Sequence, residues 1–372
     1  MNLKSGKKNS VFLKLERLVV AVALLFSFLF LLTKCSGKNR SENLKNDIYK
    51  ISMVTDLSGI NDQSFNQSAW EGLKELKADL KEKVDISYTE PKQSADYNLI
   101  LDRLSDKNYD LIYVVSFSVA DALKEIALSN LDQNYGLIDS SFGDETPNNV
   151  VCVTFCSQES AFLVGYIAGK KTLKNKVGFV GGQKSEIIDQ FEYGFKSGVR
   201  YAQKELGKNI EIMTQYAESF SDVAKGKAIG SKMYSCGCDI IFQAAGGTGY
   251  GVIESAKESG NFVIGVDRDQ SDIAPENVLT SALKNVNKAV RLVSEKMMSG
   301  EDILGKTLTF GSKEGCVGIP ENYSLIGKDL YEKAVDLLKN IKDGKITLKN
   351  RVFNIPVNKE QYEKFSEELR NF

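Results

Sequence analysis

Short apolar segments alternate with amphipathic segments along most of the chain. The sequence YDLIYVVS at 109–116 is an apolar run typical of a strand that is buried on both faces of a sheet. In QSAWEGLKELKADL at 67–80, apolar residues recur every three or four positions, which predicts a helix with one buried side. Repeated alternation of such strands and helices predicts an α/β protein with parallel sheets covered by helices on both faces.

The same alternation begins again near residue 176, where KVGFVGGQ predicts a new strand. A chain of 372 residues is too long for one ordinary domain. The sequence therefore predicts two Rossmann-like lobes, and a strand-like segment and a helix after residue 305 indicate that the chain crosses between them more than once. The predicted first lobe is 49–155 plus about 285–320, and the predicted second lobe is 156–284 plus about 321–372.

The first 34 residues differ from the rest of the chain, because several basic residues precede the apolar run LVVAVALLFSFLFLL at 18–32. This order is typical of a secretory signal peptide. The weaker alternative is a transmembrane anchor, which needs about 20 apolar residues. LLTKCSG resembles a bacterial lipobox with Cys35 as the lipidated residue, although Lys34 stands where a small residue is usual. Residues 35–48 then form a polar tether, and the lipid anchors the protein to a cell membrane, on its periplasmic face or the outer surface.

Charge and composition exclude several classes of function for this protein. The chain has 48 Lys and Arg and 49 Asp and Glu; the predicted leader holds six of the basic and one of the acidic residues, so the remainder carries a net charge of about −6. A mildly acidic protein is a poor partner for nucleic acid. The chain contains no histidine, which excludes Ser-His-Asp and Cys-His catalysis and His-ligated metals. We therefore expect a monomeric binding protein without a cofactor or a metal, not an enzyme.

Polar and aromatic residues follow several of the predicted strands. In open parallel sheets, ligands bind beyond the carboxyl ends of the strands, so these residues are candidates for a ligand site between the lobes. Each has an alternative interpretation, since Asp and Asn in such places often cap helices, Phe is often part of a core, and Lys is often a surface residue. The spacing of GGTGYG at 246–251 departs from the dinucleotide fingerprint and disfavours a phosphate site. The candidates are Asp56, Asn61, Asp62, Phe65, Asn66, Ser116, Asp139, Phe191, Phe220, Gly246, Asp267 and Lys284.

Six motifs occur in one order: VTDLSGINDQSFNQSAWEG, FLVGYIAG, FEYGF, FQAAGGTGYGV, IGVDRDQ and VLTSALK. With them, the chain resembles the basic membrane protein family, also called the purine nucleoside receptor A family, over about residues 49–355. The resemblance implies a lipoprotein with the type I periplasmic-binding fold, whose two lobes are joined by a hinge. It also implies a solute receptor that binds purine nucleosides (adenosine, guanosine or inosine) and delivers them to the permease of an ABC transporter.

The resemblance further implies how the base is bound. Phe65 would stack on the purine, and Phe191 would be the second ring, from the opposite lobe. Asp56, Asn61 and Asp62 would bind the edge of the base. Stacking of a base on an aromatic side chain contributes about 1–3 kcal/mol, which agrees with the presence of phenylalanines among polar groups.

The resemblance assigns the sugar to a second set of residues. Asp267 would hold the ribose hydroxyls, Lys284 would reach the sugar, and Gly246 would let the backbone approach the ligand. Asp139 and Ser116 are less firmly matched. A carboxylate that accepts two hydroxyl hydrogens makes charge-assisted bonds and favours a vicinal diol.

The chain departs from the pattern of this family in four respects. Ser58 replaces a usual glycine, Gln63 stands where a basic residue is common, Arg268 is bulkier than usual, and the cysteines of VCVTFCSQE are atypical. Two other functions stay open. One is a different ligand on the same fold, such as a sugar or a signalling molecule. The other is a surface adhesin for host matrix, which is compatible with nucleoside binding.

Overall fold

The computed structural model describes residues 48–346. Within them, the strands form two six-stranded sheets. The first sheet is parallel throughout. Its strands, in order across the sheet, are β11 (Thr307–Phe310), β5 (Val150–Phe155), β4 (Tyr135–Ile138), β3 (Leu111–Val115), β1 (Tyr49–Val54) and β2 (Val84–Thr89).

The second sheet repeats this arrangement with one antiparallel edge strand. Its short strand β12 pairs with β10 in the antiparallel sense, and the other pairs are parallel. The strands, in order, are β12 (Val317–Gly318), β10 (Val278–Lys284), β9 (Phe262–Asp267), β8 (Ile240–Ala244), β6 (Lys176–Gly181) and β7 (Glu211–Tyr216). The predicted α/β class with two parallel-sheet lobes is confirmed.

Helices connect successive strands and cover the sheets. The helices Phe65–Leu80 and Val286–Met298 pack against each other, as do Ser157–Lys171 and Glu186–Leu206, and Val223–Ser235 and Gly247–Ser259. The α-helices of the described chain are α1 (Phe65–Leu80), α2 (Tyr97–Ser105), α3 (Ala120–Ser129), α4 (Ser157–Lys171), α5 (Glu186–Leu206), α6 (Val223–Ser235), α7 (Gly247–Ser259), α8 (Val286–Met298) and α9 (Lys328–Lys342).

The central strands are buried on both faces, as their continuous apolar sequences predict. In β3, Leu111, Tyr113 and Val115 belong to the core on one face of the sheet, and Ile112 and Val114 belong to the core on the other. Side chains of a strand alternate between the two faces, so a strand covered on both sides needs apolar residues at every position.

Helices α4 and α5 approach each other closely through glycines. A Cβ atom on Gly165 would lie 2.1 Å from the carbonyl oxygen of Phe195, and one on Gly198 would lie 2.0 Å from that of Phe162. Both distances are far below van der Waals contact. The close packing that the small residues of α4 predict is therefore present, and it forms the central helix pair of the second lobe.

The described chain passes between the two sheets at three places. It leaves the first sheet after β5, through Cys156. It leaves the second sheet after β10, through Asn285. It returns through β11 and crosses again within 311–316, before β12. The carboxyl ends of β1, β3 and β4 consequently face those of β8, β9 and β10 across a cleft, where residues from both lobes line one cavity.

The predicted signal peptide, Cys35 and almost all of the predicted tether lie outside the described residues, as does the end of the chain after residue 346. Among the helices at 48–346, none has the length and apolar content that a membrane crossing requires.

Candidate functional site

A cavity of about 490 Å³, partly open to solvent, lies between the lobes. The structure brings ten of the twelve predicted residues together on its wall. They are Asp56, Asp62, Phe65, Ser116, Asp139, Phe191, Phe220, Gly246, Asp267 and Lys284.

The two remaining candidates lie elsewhere. Asn61 is exposed, and it does not line the cavity. Asn66 is fully buried behind the wall, where its Nδ2 atom donates to Asp56 Oδ1 (2.8 Å) and Asp62 Oδ2 (3.0 Å). Asn66 thus orients two carboxylates of the wall without reaching the cavity itself.

Asp62 serves mainly to hold the turn between β1 and α1. Its two carboxylate oxygens accept hydrogen bonds from the backbone N–H groups of Ser64 (3.0 Å), Asn66 (2.8 Å) and Gln67 (3.0 Å). These are the free donors at the start of α1, so Asp62 acts as a helix cap. Burial raises the pKa of Asp62, and the three backbone hydrogen bonds oppose that rise.

Asp56 has more freedom to meet a ligand. Its Oδ1 atom accepts from the N–H of Ser58 (2.8 Å) and from Asn66, whereas its Oδ2 atom accepts no hydrogen bond from the described residues. Burial raises the pKa of Asp56, and hydrogen bonds from Ser58 and Asn66 oppose the rise. A carboxylate oxygen held in place in this way is a ready acceptor for a donor on a ligand.

A buried lysine links the two lobes at the cavity. Lys284 Nζ lies 2.5 Å from Asp139 Oδ2 of the first lobe and 3.7 Å from Asp267 Oδ1 of the second. Burial works to lower the pKa of Lys284, but the two carboxylates outweigh it and the pKa is raised. Burial raises the pKa of Asp267, and Lys284 opposes that rise. The ammonium group is therefore already neutralised by protein carboxylates.

Aromatic rings from both lobes surround the same ammonium group. Lys284 Nζ lies 4.4 Å from the centroid of the Phe65 ring and 5.4 Å from that of Phe191. Phe65 is the first residue of α1, and Phe191 lies in α5, so the rings come from opposite lobes. A third contact crosses the cleft between Phe117 and Phe220, whose ring centroids are 6.1 Å apart in an edge-to-face arrangement.

Three strand ends at the cavity have an unusual backbone. The φ angles are 140° at Ser116, 66° at Asp139 and 65° at Asp267. Such values are uncommon for residues other than glycine, and they are maintained only where the surroundings fix them. At these positions the chain turns sharply at the end of a strand, which aims each residue into the cleft.

Six further residues line the cavity that the sequence did not single out as candidates. Ser58 and Phe117 lie in the same turns as the candidates, and this position directly after a strand could have identified them from the sequence. The others are apolar residues of α5 and of the strand ends, and in the sequence they are indistinguishable from core residues. The six are Ser58, Phe117, Ile187, Ile188, Ala244 and Val266.

The described residues contain no group of three or more Cys, Asp, Glu or His side chains arranged to hold a metal ion. Among the described residues, the polar side chains of the cavity are carboxylates, hydroxyls and the ammonium group of Lys284. Such a set suits a neutral ligand with several hydrogen-bond donors, and the aromatic rings suit a flat one.

Two parallel-sheet lobes that close over a polar and aromatic cavity define a solute-binding protein of the periplasmic-binding type. The profile of the family described as "Bmp: ABC transporter substrate-binding protein PnrA-like" matches residues 49–351. The chain belongs to this family, so the predicted family and type I periplasmic-binding fold are confirmed. A solute ligand, a transporter permease as partner, and a membrane-associated or extracytoplasmic location follow from this membership.

Individual relatives agree with this assignment. Basic membrane protein A of Borreliella burgdorferi is 39% identical over 355 residues, which cover 94% of this chain and 99% of that protein. The CD4+ T-cell-stimulating antigen of Listeria monocytogenes is 38% identical and covers 80% of this chain and 87% of its own length. Among solved structures, an ABC transporter solute-binding protein from Aeropyrum pernix superposes with a TM-score of 0.76 at 26% identity, covering 87% of this chain and 97% of that one.

Proposed function

We propose that the protein is a lipid-anchored receptor that binds a purine nucleoside between its lobes and delivers it to an ABC permease. The observation that carries the proposal is the pairing of Phe65 and Phe191, one ring from each lobe, on a cavity that also contains Asp56 and Asp267. The rings offer flat surfaces to a base, and the carboxylates offer acceptors to its edge and to a sugar. Adenosine, guanosine and inosine all have this combination of features.

Asp56 is the group of the first lobe best suited to the edge of the base. Asp62 is occupied by the start of α1, and Asn61 is exposed. The Oδ2 atom of Asp56 is open to a donor, such as a ring N–H or an exocyclic amine of the purine. The base-edge role that the family resemblance spreads over three residues is therefore concentrated on Asp56.

Asp267 and Lys284 are the groups suited to the ribose. The Lys284 ammonium lies nearer to Asp139 than to Asp267. The hydroxyl of Ser64 donates to Asp267 Oδ2 at 2.5 Å. The carboxylate of Asp267, and its Oδ1 atom above all, still has capacity for hydroxyl donors. A vicinal diol donates two hydrogen bonds to one carboxylate, and such charge-assisted bonds are stronger than neutral ones. A ligand without the diol would leave a buried carboxylate without these partners.

The charge of the cavity favours a nucleoside over a nucleotide. Four carboxylates line the wall (Asp56, Asp62, Asp139 and Asp267), against one lysine. The positive charge of Lys284 is already matched by Asp139 and Asp267. A phosphate group would enter a site of negative net charge in which the described residues of the wall offer no free cation to receive it. This is unfavourable at these short distances.

The lipid anchor is proposed from the sequence of the leader alone. The basic start, the apolar run at 18–32 and Cys35 are together typical of a processed bacterial lipoprotein. Mass spectrometry of the protein extracted from membranes should find the new amino terminus at Cys35, carrying acyl chains. An intact leader, or a mature terminus without lipid, would contradict the anchor.

Isothermal titration calorimetry with a ligand panel tests the nucleoside proposal. Adenosine, guanosine or inosine should give a binding isotherm, whereas ribose alone should bind far more weakly because it lacks the stacking surface. The corresponding nucleoside monophosphates should also bind weakly. Equal binding of ribose and nucleosides would favour a sugar receptor, and no heat with any nucleoside would contradict the proposal.

A further inference from the structure

Three residues connect the lobes beside the cavity without lining it. Gln63 precedes α1 in the first lobe, and Arg268 and Gln270 follow β9 in the second. The Nε2 atom of Gln270 donates to the carbonyl oxygen of Gln63 at 2.8 Å, and Arg268 Nη1 donates to Gln63 Oε1 at 3.1 Å. Both contacts cross the cleft, so they exist only when the lobes are close together.

The second lobe holds the side chain of Gln270 in one orientation. Its Oε1 atom accepts from the backbone N–H of Val266 (3.0 Å) and from Gln243 Nε2 (2.8 Å). A backbone N–H only donates, so the amide oxygen must face Val266 and the NH₂ group must face Gln63. Gly265 leaves room for this arrangement, because a Cβ atom there would lie 2.7 Å from the Oε1 atom. The donor that crosses the cleft is therefore oriented by contacts within its own lobe.

The first lobe presents its acceptor through a strained backbone. Gln63 has a φ angle of 54°, a left-handed conformation that side-chain-bearing residues adopt at a cost. This conformation places the carbonyl oxygen within reach of Gln270 and the side-chain oxygen within reach of Arg268. One residue of the first lobe thus meets two donors of the second.

We propose that Gln63, Arg268 and Gln270 form a latch that stabilises the closed lobes and so sets the affinity and the release rate of the solute. Other contacts across the cleft, such as that of Lys284 with Asp139, involve groups of the cavity wall and compete with a ligand. The latch does not compete, because its residues lie off the wall. The apparent dissociation constant equals the intrinsic one divided by the fraction of binding-competent protein, so a latch that favours closure strengthens binding without touching the ligand.

The substitution Gln270→Glu tests the latch with little change of shape. The new carboxylate still accepts from Val266 and Gln243 but has no hydrogen to donate to Gln63. We expect roughly tenfold weaker solute affinity with faster release. Arg268→Ala and Gln63→Gly remove only the side-chain contact and should each cost about threefold, and the double variant should cost no more than either one. Glycine accepts a positive φ angle, so Gln63→Gly keeps the backbone contact.

Two measurements on the purified full-length protein distinguish a failure of the latch from a failure of the proposed function. Only the second measurement, which uses a nucleoside, depends on the proposed function. Small-angle X-ray scattering without ligand should give a larger radius of gyration for each latch variant than for the wild type. Stopped-flow displacement of a bound purine nucleoside should give faster release. Arg103→Ala, on the exposed surface of α2, is the matched control and should change neither. Unchanged scattering and release in folded latch variants would overturn the latch. Altered scattering in a protein that binds no nucleoside would support the latch and contradict the proposed ligand.

Discussion

The two walls of the cleft are built in different ways. The wall of the first lobe contains a polar turn, in which Asp56 and Asp62 both accept from the side chain of Asn66 behind them and Asp62 also holds the start of α1. The wall of the second lobe is largely apolar, and residues such as Phe191 and Val266 continue directly into its hydrophobic core. The carboxylates of the first wall are therefore separate from the core, and the partly buried Phe65 packs against that core. In the second lobe, fully buried core side chains themselves form the wall.

Asp267 and Lys284 are charged residues on the otherwise apolar side, and the substitution of Asp267 should give the largest change in affinity. We expect Asp267→Asn to weaken nucleoside binding about 100-fold or more, because it removes the charge from two hydrogen bonds to the diol, each worth about 1.5–3 kcal/mol. Calorimetry measures this loss. Asp269→Asn is the matched control, since Asp269 is close in sequence but does not line the cavity. If Asp267→Asn lost less than threefold in nucleoside affinity, the sugar would be held by other residues.

The two phenylalanines separate binding from stability. Phe65→Ala should weaken nucleoside binding by about 1–3 kcal/mol through lost stacking, with a small effect on unfolding, because the ring is only partly buried. Phe191→Ala should weaken binding and also lower the free energy of unfolding by about 3–5 kcal/mol, because its ring is 1% exposed and packs against Phe242.

Calorimetry and urea unfolding of both variants check this contrast. Phe142→Ala is the control, because Phe142 is an aromatic residue of the first lobe outside the cavity. It should leave affinity unchanged. Equal losses of stability in Phe65→Ala and Phe191→Ala would remove the distinction between the two walls.

The smallest expected effect is a change of stability with pH that depends on Glu186, the first residue of α5, beside the second wall. Burial, and then the nearby Asp189, raise the pKa of Glu186 to about 7. The folded state therefore keeps this proton at a pH where the unfolded chain has lost it, so the contribution to stability is present at low pH and is lost as pH rises through about 7.

Thermal unfolding between pH 5 and 8 measures this contribution. Glu186→Gln should have a flatter dependence of Tm on pH than the wild type and a slightly higher Tm at pH 8. Glu276→Gln, at an exposed loop position, should behave like the wild type. A wild-type slope that survives in Glu186→Gln would assign the titration to another group.

The sequence predicts strands well where an apolar run ends in polar residues. The strands Tyr49–Val54 and Val278–Lys284 consist largely of apolar residues and end where a polar segment begins, at Thr55 and Asn285. Helix α4 begins at Ser157, five residues before the apolar motif FLVGYIAG. Most of this helix is buried, so neither periodicity nor a polar cap marks its start. The sequence at 306–320 is strand-like throughout, yet its two strands, β11 and β12, belong to different sheets. The local sequence could not show this, because each strand pairs with a distant segment of the chain.

The residues of the candidate site also differ in how well the sequence predicts them. Asp56, Asp139 and Asp267 were predictable because parallel sheets place polar strand ends at one edge. The apolar wall was not, since Ile187 and Ile188 look like any buried turn of a helix. The contact between Gln63 and Gln270 joins residues 207 positions apart, and nothing in either local sequence indicates it.

Native mass spectrometry of the protein as purified from cells tests the central claim most directly. The account predicts an added mass equal to that of a purine nucleoside, lost on unfolding and restored when that nucleoside is supplied after refolding. A protein mass without ligand that stays unchanged in the presence of adenosine, guanosine and inosine would contradict it.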